Sequence, residues 1–460
     1  MSSGTLLPAV VSHLVSIVGL VLGLLLIAHA AGQRRGPQST LAWVLAIVLI
    51  PYVGVPLYLL FGGRKLRRDA DKKQRLYEPS ARDLPPPEAG IAGMLVVSGA
   101  PPPRTGNRIE LLLSGEDAFR ATVDLIERAQ RSIELSTLIL ARDEVGRAVI
   151  DRLIAKARSG VRVRVLLDAL FRFRAPRGLL ASLREAGASI AWFAPVWHMP
   201  FRAHANLRLH RKILVVDGEV AIVGGMNLAR EYMGPTALEG RWRDLAAIIA
   251  GPAVADVADV FHADWRFAAG ESLPPAQRPA PTGTSALQVV GSGPDAASDL
   301  LYDAFLSTVF EARHRVWIAT PYFVPDEALT HALVLAARRR VDVRVLIPQR
   351  SNHLSADLAG ASYLRQVAEA GARIARFRPG MMHAKVLIAD EALAVIGSAN
   401  FDMRSLFLDY EIGVLLSDRE SIDSLSRWYE ALLGECGELV PARPGRALVE
   451  GVARLIGPLA

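Results

Sequence analysis

A single cysteine, Cys436, stands in 460 residues, which excludes an intramolecular disulfide and a thiolate metal cluster. The chain is compatible with a reducing compartment. Charge is missing from two stretches: residues 10–31 and 40–61 hold no Asp, Glu, Lys or Arg, and each is close to the ~20 apolar residues that cross a bilayer. They predict an N-terminal transmembrane helical hairpin. Lys and Arg are also absent before Val10, which excludes the basic n-region of a secretory signal peptide. Between the two stretches only Arg34 and Arg35 are charged, whereas Arg64, Lys65, Arg67, Arg68, Lys72, Lys73 and Arg75 follow Phe61. That asymmetry places both termini, and everything downstream, on the cytoplasmic side of a membrane. Pro51, Gly54 and Pro56 allow the second stretch to kink or re-enter, but two spans are the expectation. His198 and His204 have no acidic or cysteine partners around them, so no metal and no cofactor are expected.

What is present is apolar and basic. Hydrophobic residues make up 51% of the chain with a mean hydropathy of +0.26, and the formal net charge is +7. An anionic partner suits that balance, and a basic cluster beside a membrane adds roughly 1 kcal/mol per Lys or Arg near an anionic leaflet. Pro-rich punctuation divides the rest. Residues 1–66 read as the membrane anchor, 67–105 as a basic, Pro-rich linker, and 106–275 and 276–460 as two lobes separated at the proline cluster of 274–281.

The lobes repeat one another. His210-Arg-Lys212-Ile-Leu-Val-Val-Asp217 recurs as His383-Ala-Lys385-Val-Leu-Ile-Ala-Asp390, and each copy runs on to a small-residue turn, Gly224-Gly225-Met-Asn227 and Gly397-Ser398-Ala-Asn400. Val163-Arg-Val-Leu parallels Val343-Arg-Val-Leu, and Asp143-Glu144 parallels Asp326-Glu327. Helix-period stretches at 117–130, 145–158, 296–312 and 327–339 alternate with short β-branched runs, which predicts an α/β fold with a largely buried mixed sheet in each lobe. The aliphatic run after each Lys is too short for a buried helix, so the cassette is read as a strand, with His and Lys on one face.

The duplicated cassette resembles the HKD signature of the phospholipase D superfamily. The text around it, and the stretch from Ala42 to Gly62, resemble bacterial cardiolipin synthases across nearly the whole chain. The resemblance implies two pseudo-symmetric lobes whose His-Lys-Asn sets meet at one site. His210 is then the nucleophile and His383 the general acid. Lys212, Lys385, Asn227, Asn400 and Ser398 would bind the phosphate, and Asp244 and Glu411 would hold the imidazoles in the useful tautomer. Asp217 and Asp390 complete the catalytic signature in a supporting, structural place.

These residue types suit phosphodiester chemistry. Neutral imidazole attacks an anion without bringing further negative charge, and a second imidazole supplies the leaving group's proton. Fixed cations stabilise the charge that develops on phosphorus-bound oxygens. By resemblance the reaction joins two molecules of phosphatidylglycerol into cardiolipin and glycerol, with phosphatidylglycerol and other anionic lipids as partners. Transfer to water or another alcohol is the alternative. A phosphodiester nuclease is disfavoured by the membrane anchor, and no nucleic acid partner is expected. The second copy's Ser398 has only Gly225 opposite it, and Tyr322-Phe323 of the second lobe has no aromatic counterpart in Thr137-Leu-Ile-Leu.

Overall fold

The structure, a computed structural model, describes residues 23–28, 37–61, 73, 75–77, 90–193, 207–438 and 450. The chain divides into two compact units, residues 1–66 with 197–206, and residues 67–196 with 207–460. The first expected membrane span lies outside the described residues except for 23–28, which are helical; so do His13, His29, His198 and His204.

The second expected span is not one helix. It forms helices Pro37–Leu49 and Pro51–Phe61, broken at Ile50. The longer has 13 residues, about 20 Å at the rise of an α-helix. Pro51 has no N–H to continue the first helix, and Gly54 lets the second approach it so closely that a Cβ would strike the Ala46 carbonyl. The rings of Trp43 and Tyr58 meet edge to face with centroids 5.3 Å apart. Among the described residues no helix is long and apolar enough to cross a membrane.

The larger unit holds both lobes. Strands β1 (Arg104–Leu112), β2 (Ser132–Thr137), β3 (Arg162–Asp168), β4 (Ser189–Phe193), β5 (Ile213–Val216), β6 (Val220–Gly224) and β7 (Ala246–Ala250) lie in the order β1-β7-β6-β5-β2-β3-β4. The second lobe contributes β8 (Ser285–Ser292), β9 (Arg315–Ala319), β10 (Phe323–Val324), β11 (Asp342–Pro348), β12 (Arg373–Phe377), β13 (Val386–Ala389), β14 (Leu393–Gly397), β15 (Phe401–Asp402), β16 (Glu411–Leu416) and β17 (Cys436–Glu438). It repeats the order as β8-β16-β14-β13-β9-β11-β12, with β17 at the edge and β10 pairing β15 separately. The register repeats too. Ile133 faces Val163 in parallel and Val216 in antiparallel, as Val316 faces Val343 and Ala389. Because β1 pairs with β8, the two lobes share one continuous sheet.

Alternation along each strand sorts the aliphatic residues into three cores. Leu214 and Val216 enter a core belonging to the first lobe, and Leu387 and Ala389 one belonging to the second. Ile213, Val215, Val386 and Ile388 all join a third core that both lobes share, filled by helices Val254–Ala269 and Arg419–Leu433. The repeated Asp-Glu pairs are helix starts: Asp143 and Asp326 cap Glu144–Arg158 and Glu327–Arg338, accepting from Gly146 N at 2.9 Å and Leu329 N at 3.0 Å. Such a cap contributes about 1 kcal/mol.

The expected linker is not a free spacer where it is described. Leu76 N donates to the Asp295 carbonyl at 2.9 Å, Tyr77 Oη accepts from Gly291 N at 3.0 Å, and helix Gly90–Val97 buries Leu95 completely.

Candidate active site

The two cassettes lie where the lobes join. Residues 210–212 run just ahead of β5, and 383–385 just ahead of β13, so each His sits on an extended lead-in and not within the strand itself. Those lead-ins pair with the opposite lobe. His210 N donates to the Tyr410 carbonyl at 3.0 Å, and His383 N to the Arg243 carbonyl at 2.7 Å.

That crossing delivers the carboxylates. Glu411 of the second lobe accepts from His210 Nδ1 at 2.8 Å, and Asp244 of the first lobe from His383 Nδ1 at 2.6 Å. With each Nδ1 facing its carboxylate, Nε2 is the ring nitrogen on the other side, and that of His383 lies 3.4 Å from Lys385 Nζ. Burial and the neighbouring lysines hold both imidazoles well below their ordinary pKa. Burial also pushes Glu411 up to about 7 and Asp244 up to about 6.

Lys212 and Lys385 are buried. Desolvation lowers them to about 7 and about 8, against the pull of Glu411 and Asp244. Each ammonium turns back to the carbonyl of the His two residues earlier, Lys212 at 2.6 Å. Lys385 Nζ also lies 2.7 Å from His383 Nδ1, so it crowds the nitrogen that faces Asp244. Asn227 is buried with its Oδ1 accepting from Ile139 N at 3.2 Å, while buried Asn400 Oδ1 has no hydrogen-bond partner among the described residues.

Three expected site residues sit differently from the phosphate-facing set. Ser398 Oγ donates to Glu411 Oε2 and accepts from Ile412 N at 3.0 Å, so its hydroxyl is committed to the carboxylate. Asp217 and Asp390, both left-handed at φ 56° and 49°, accept the N–H groups of Gln130, Arg131 and Ser132, and of Arg313, His314 and Arg315. They tie the turn after the cassette strand to the start of β2 and of β9.

The missing hydroxyl at Gly225 has a physical reason. Asp244 is one methylene shorter than Glu411 and folds its Oδ1 onto Leu245 N at 2.8 Å, taking the N–H whose counterpart, Ile412 N, goes to Ser398. A Cβ at 225 would collide with that carboxylate.

Sequence reasoning missed two groups. Tyr232 and Trp242 pack on His383, with ring centroids 4.9 and 5.1 Å from it. Behind His210, fully buried Arg211 donates to Asp264 at 2.6 Å, to the Ser292 carbonyl at 3.1 Å and to the Glu411 carbonyl at 2.9 Å, with Asp295 at 3.4 Å. Lys73 joins the same cluster, bonding Asp264 and lying 2.7 Å from Asp295, with the Tyr410 ring 4.3 Å away. The signal was the Arg between His210 and Lys212, where the second copy has Ala384. Among the described residues no group of His, Cys, Asp and Glu could hold a metal ion.

The chain is similar to known proteins along most of its length. Residues 122–265 and 305–433 match the family described as cardiolipin synthase, PLD-like domain, and residues 16–63 match the phospholipase D-nuclease N-terminal family. The chain is 34% identical to cardiolipin synthase of Geobacillus kaustophilus, covering 93% of this chain and 90% of that one. It is also 34% identical to cardiolipin synthase A of Pseudomonas putida, covering 96% and 98%. In fold it is similar to phosphatidylserine synthase of Haemophilus influenzae, with a TM-score of 0.58 at 15% identity over 76% of this chain and 94% of that one. A match on both halves, and identity along nearly the full length, show that the chain belongs to the PLD-like cardiolipin synthase family.

Proposed function

We propose that the chain is a membrane-attached phosphatidyltransferase that makes cardiolipin and glycerol from two molecules of phosphatidylglycerol. The observation that carries this reading is the crossed pairing of His210 with Glu411 and His383 with Asp244. It gives two imidazoles, each held at Nδ1 by a carboxylate of the opposite lobe, beside two lysines.

In the first step neutral His210 attacks phosphorus through Nε2, and the departing glycerol oxygen takes the Nε2 proton of His383 in its protonated, imidazolium form, leaving His383 neutral. A phosphatidyl-histidine results. In the second step a hydroxyl of another phosphatidylglycerol gives its proton to His383 as it attacks the same phosphorus, and His210 leaves. Lys212 and Lys385, with Asn227 and Asn400, stabilise the equatorial oxygens in both steps. Glu411 and Asp244 are positioning residues. Ser398 acts through Glu411, and Asp217 and Asp390 act through the turns they hold. His210 suits the nucleophile because its side chain is 13% exposed, against 6% for His383. His383 suits the acid because its partner is closer and two aromatic rings screen it from water.

Residues 1–66 are the membrane attachment in this reading, supported by their apolar composition and the N-terminal family match. The catalytic lobes then face the cytoplasm. The test uses the full chain in vesicles of labelled phosphatidylglycerol without added metal, comparing wild type with His210→Ala and His383→Ala. Cardiolipin with stoichiometric glycerol, lost in both variants, is expected. Phosphatidic acid as the sole product would make the protein a hydrolase instead.

A further inference from the structure

A second cleft opens beside His383. About 440 Å³ in volume, it is lined by Gly240 and Trp242 from the first lobe, and by Gln349, Arg350, Arg378 and Met381 among others from the second. Trp242 is shared with the catalytic site, since it packs on the His383 ring. The loop after β11 packs on Tyr322 of the second lobe: Tyr322 Oη donates to Asn352 Oδ1 at 2.5 Å, and its ring meets that of His353 with centroids 5.4 Å apart.

Two features make this cleft suited to an anion. Arg350 and Arg378 are exposed, and neither has a carboxylate within ion-pairing distance among the described residues. The pseudo-symmetric position beside His210 is built differently. Aligning β3 with β11 places Leu170 and Phe171 where the second lobe has Arg350 and Ser351, and aligning β7 with β16 places Asp409 opposite Trp242. Asp409 is itself bound to Arg404 at 3.3 Å. Arg350 therefore has no cationic counterpart at the aligned position, and the arginines that follow that position in the first lobe, Arg172 and Arg174, lie over the rings of Trp192 and of Phe171 and Phe173.

Displacement at phosphorus requires the acceptor hydroxyl to arrive opposite the bond to His210, on the side from which His383 takes its proton. A phosphatidylglycerol acceptor carries its own phosphodiester five bonds behind that hydroxyl, about 6 Å at ordinary bond lengths. The two catalytic lysines already serve the reacting phosphate, so a second monoanion near His383 needs cations of its own.

We propose that this cleft is the acceptor subsite, in which Arg350 and Arg378 hold the phosphodiester of a glycerophosphate headgroup. The inference rests on the cardiolipin synthase reading and adds what selects the acceptor. Water and small neutral alcohols gain nothing from the arginines, whereas a second anionic lipid is drawn to them.

The test sets two acceptors against each other. Full-length protein is given vesicles of phosphatidylglycerol in phosphatidylcholine with ethanol in the buffer, and cardiolipin and phosphatidylethanol are measured together. The ratio of cardiolipin to phosphatidylethanol should fall about tenfold in Arg350→Gln and in Arg378→Gln, with partial recovery in the Arg→Lys variants. Equal loss of both products, or an unchanged ratio, would overturn the subsite. Equal loss with weaker vesicle sedimentation would assign the arginines to the membrane surface instead, and also overturn it. If wild type makes phosphatidylethanol but no cardiolipin, the synthase reading fails first, which separates the two conclusions.

Discussion

The two lobes share strand order and register, yet their histidines live in different surroundings. His383 is walled by Tyr232 and Trp242 and bound to a short Asp, with Gly225 leaving that carboxylate room. Among the described residues His210 has no such aromatic wall; it meets a longer Glu steadied by Ser398, and a four-membered ionic cluster lies behind it. The scaffold thus supplies two equivalent positions, and the residues around them divide the labour.

The sharpest way to break this comparison is to remove each imidazole in turn. Both His210→Ala and His383→Ala should lower cardiolipin formation by about 10⁴-fold or more. They should part company on a donor whose leaving group is a nitrophenol, which needs no proton: His383→Ala should then give a burst of one product per enzyme, and His210→Ala none. A burst from His210→Ala alone would exchange their roles.

Next in size is Arg211. Its counterpart is already alanine at 384, but Arg211→Ala leaves Asp264 and Asp295 buried with Lys73 as their remaining cation in the cluster. A loss of about 3–5 kcal/mol is expected, since breaking a buried ion network strands charge. Denaturant unfolding of the full chain in detergent would measure it.

Making the lobes alike should cost activity. Gly225→Ser pushes the Asp244 carboxylate away from His383 and is expected to lower turnover about a hundredfold, the scale of a misplacement near 1 Å. The proof of cause would be a matching loss of proton-donor function, relieved by the nitrophenyl donor.

The smallest change is Ser398→Ala, which removes one hydrogen bond from Glu411 and should lower kcat/KM about tenfold. It carries a pH signature. Glu411, raised to about 7, loses its negative charge as pH falls through that value, while Lys212, lowered to about 7, loses its positive charge as pH rises through it. The wild-type profile of kcat/KM should therefore be a narrow bell near neutrality. Because Ser398 holds the Glu411 pKa down, Ser398→Ala should move the acid limb to higher pH and leave the alkaline limb in place.

Much of this was legible in the sequence because it is local. The His-Lys spacing, the aliphatic run and the Asp-Glu helix starts each lie within a few residues, where strand alternation and capping chemistry act. The resemblance supplied Asp244 and Glu411, but not that each would serve the opposite lobe's histidine. Those partners are 139 and 201 residues apart, and no periodicity reaches so far. Lys73 was misread for the converse reason: a charge-rich, Pro-rich stretch has the composition of a solvated spacer, and only the tertiary fold supplies the buried carboxylates that pair with it. The apolar run at 40–61 revealed hydrophobicity clearly, and the break at Ile50 falls beside Pro51 and Gly54, which allow a kink there although two full spans are the expectation.

The crossed carboxylates also bear on how such an enzyme is made safely. Synthesis proceeds from the N-terminus, so a chain emerging from the ribosome exposes His210 long before residue 411 exists, and holds Asp244 with no His383 to serve. Neither imidazole is oriented at that stage. An unfinished or truncated product therefore holds His210 without its carboxylate, and the crossed pairing is complete only when the last strands of the second lobe close against the first.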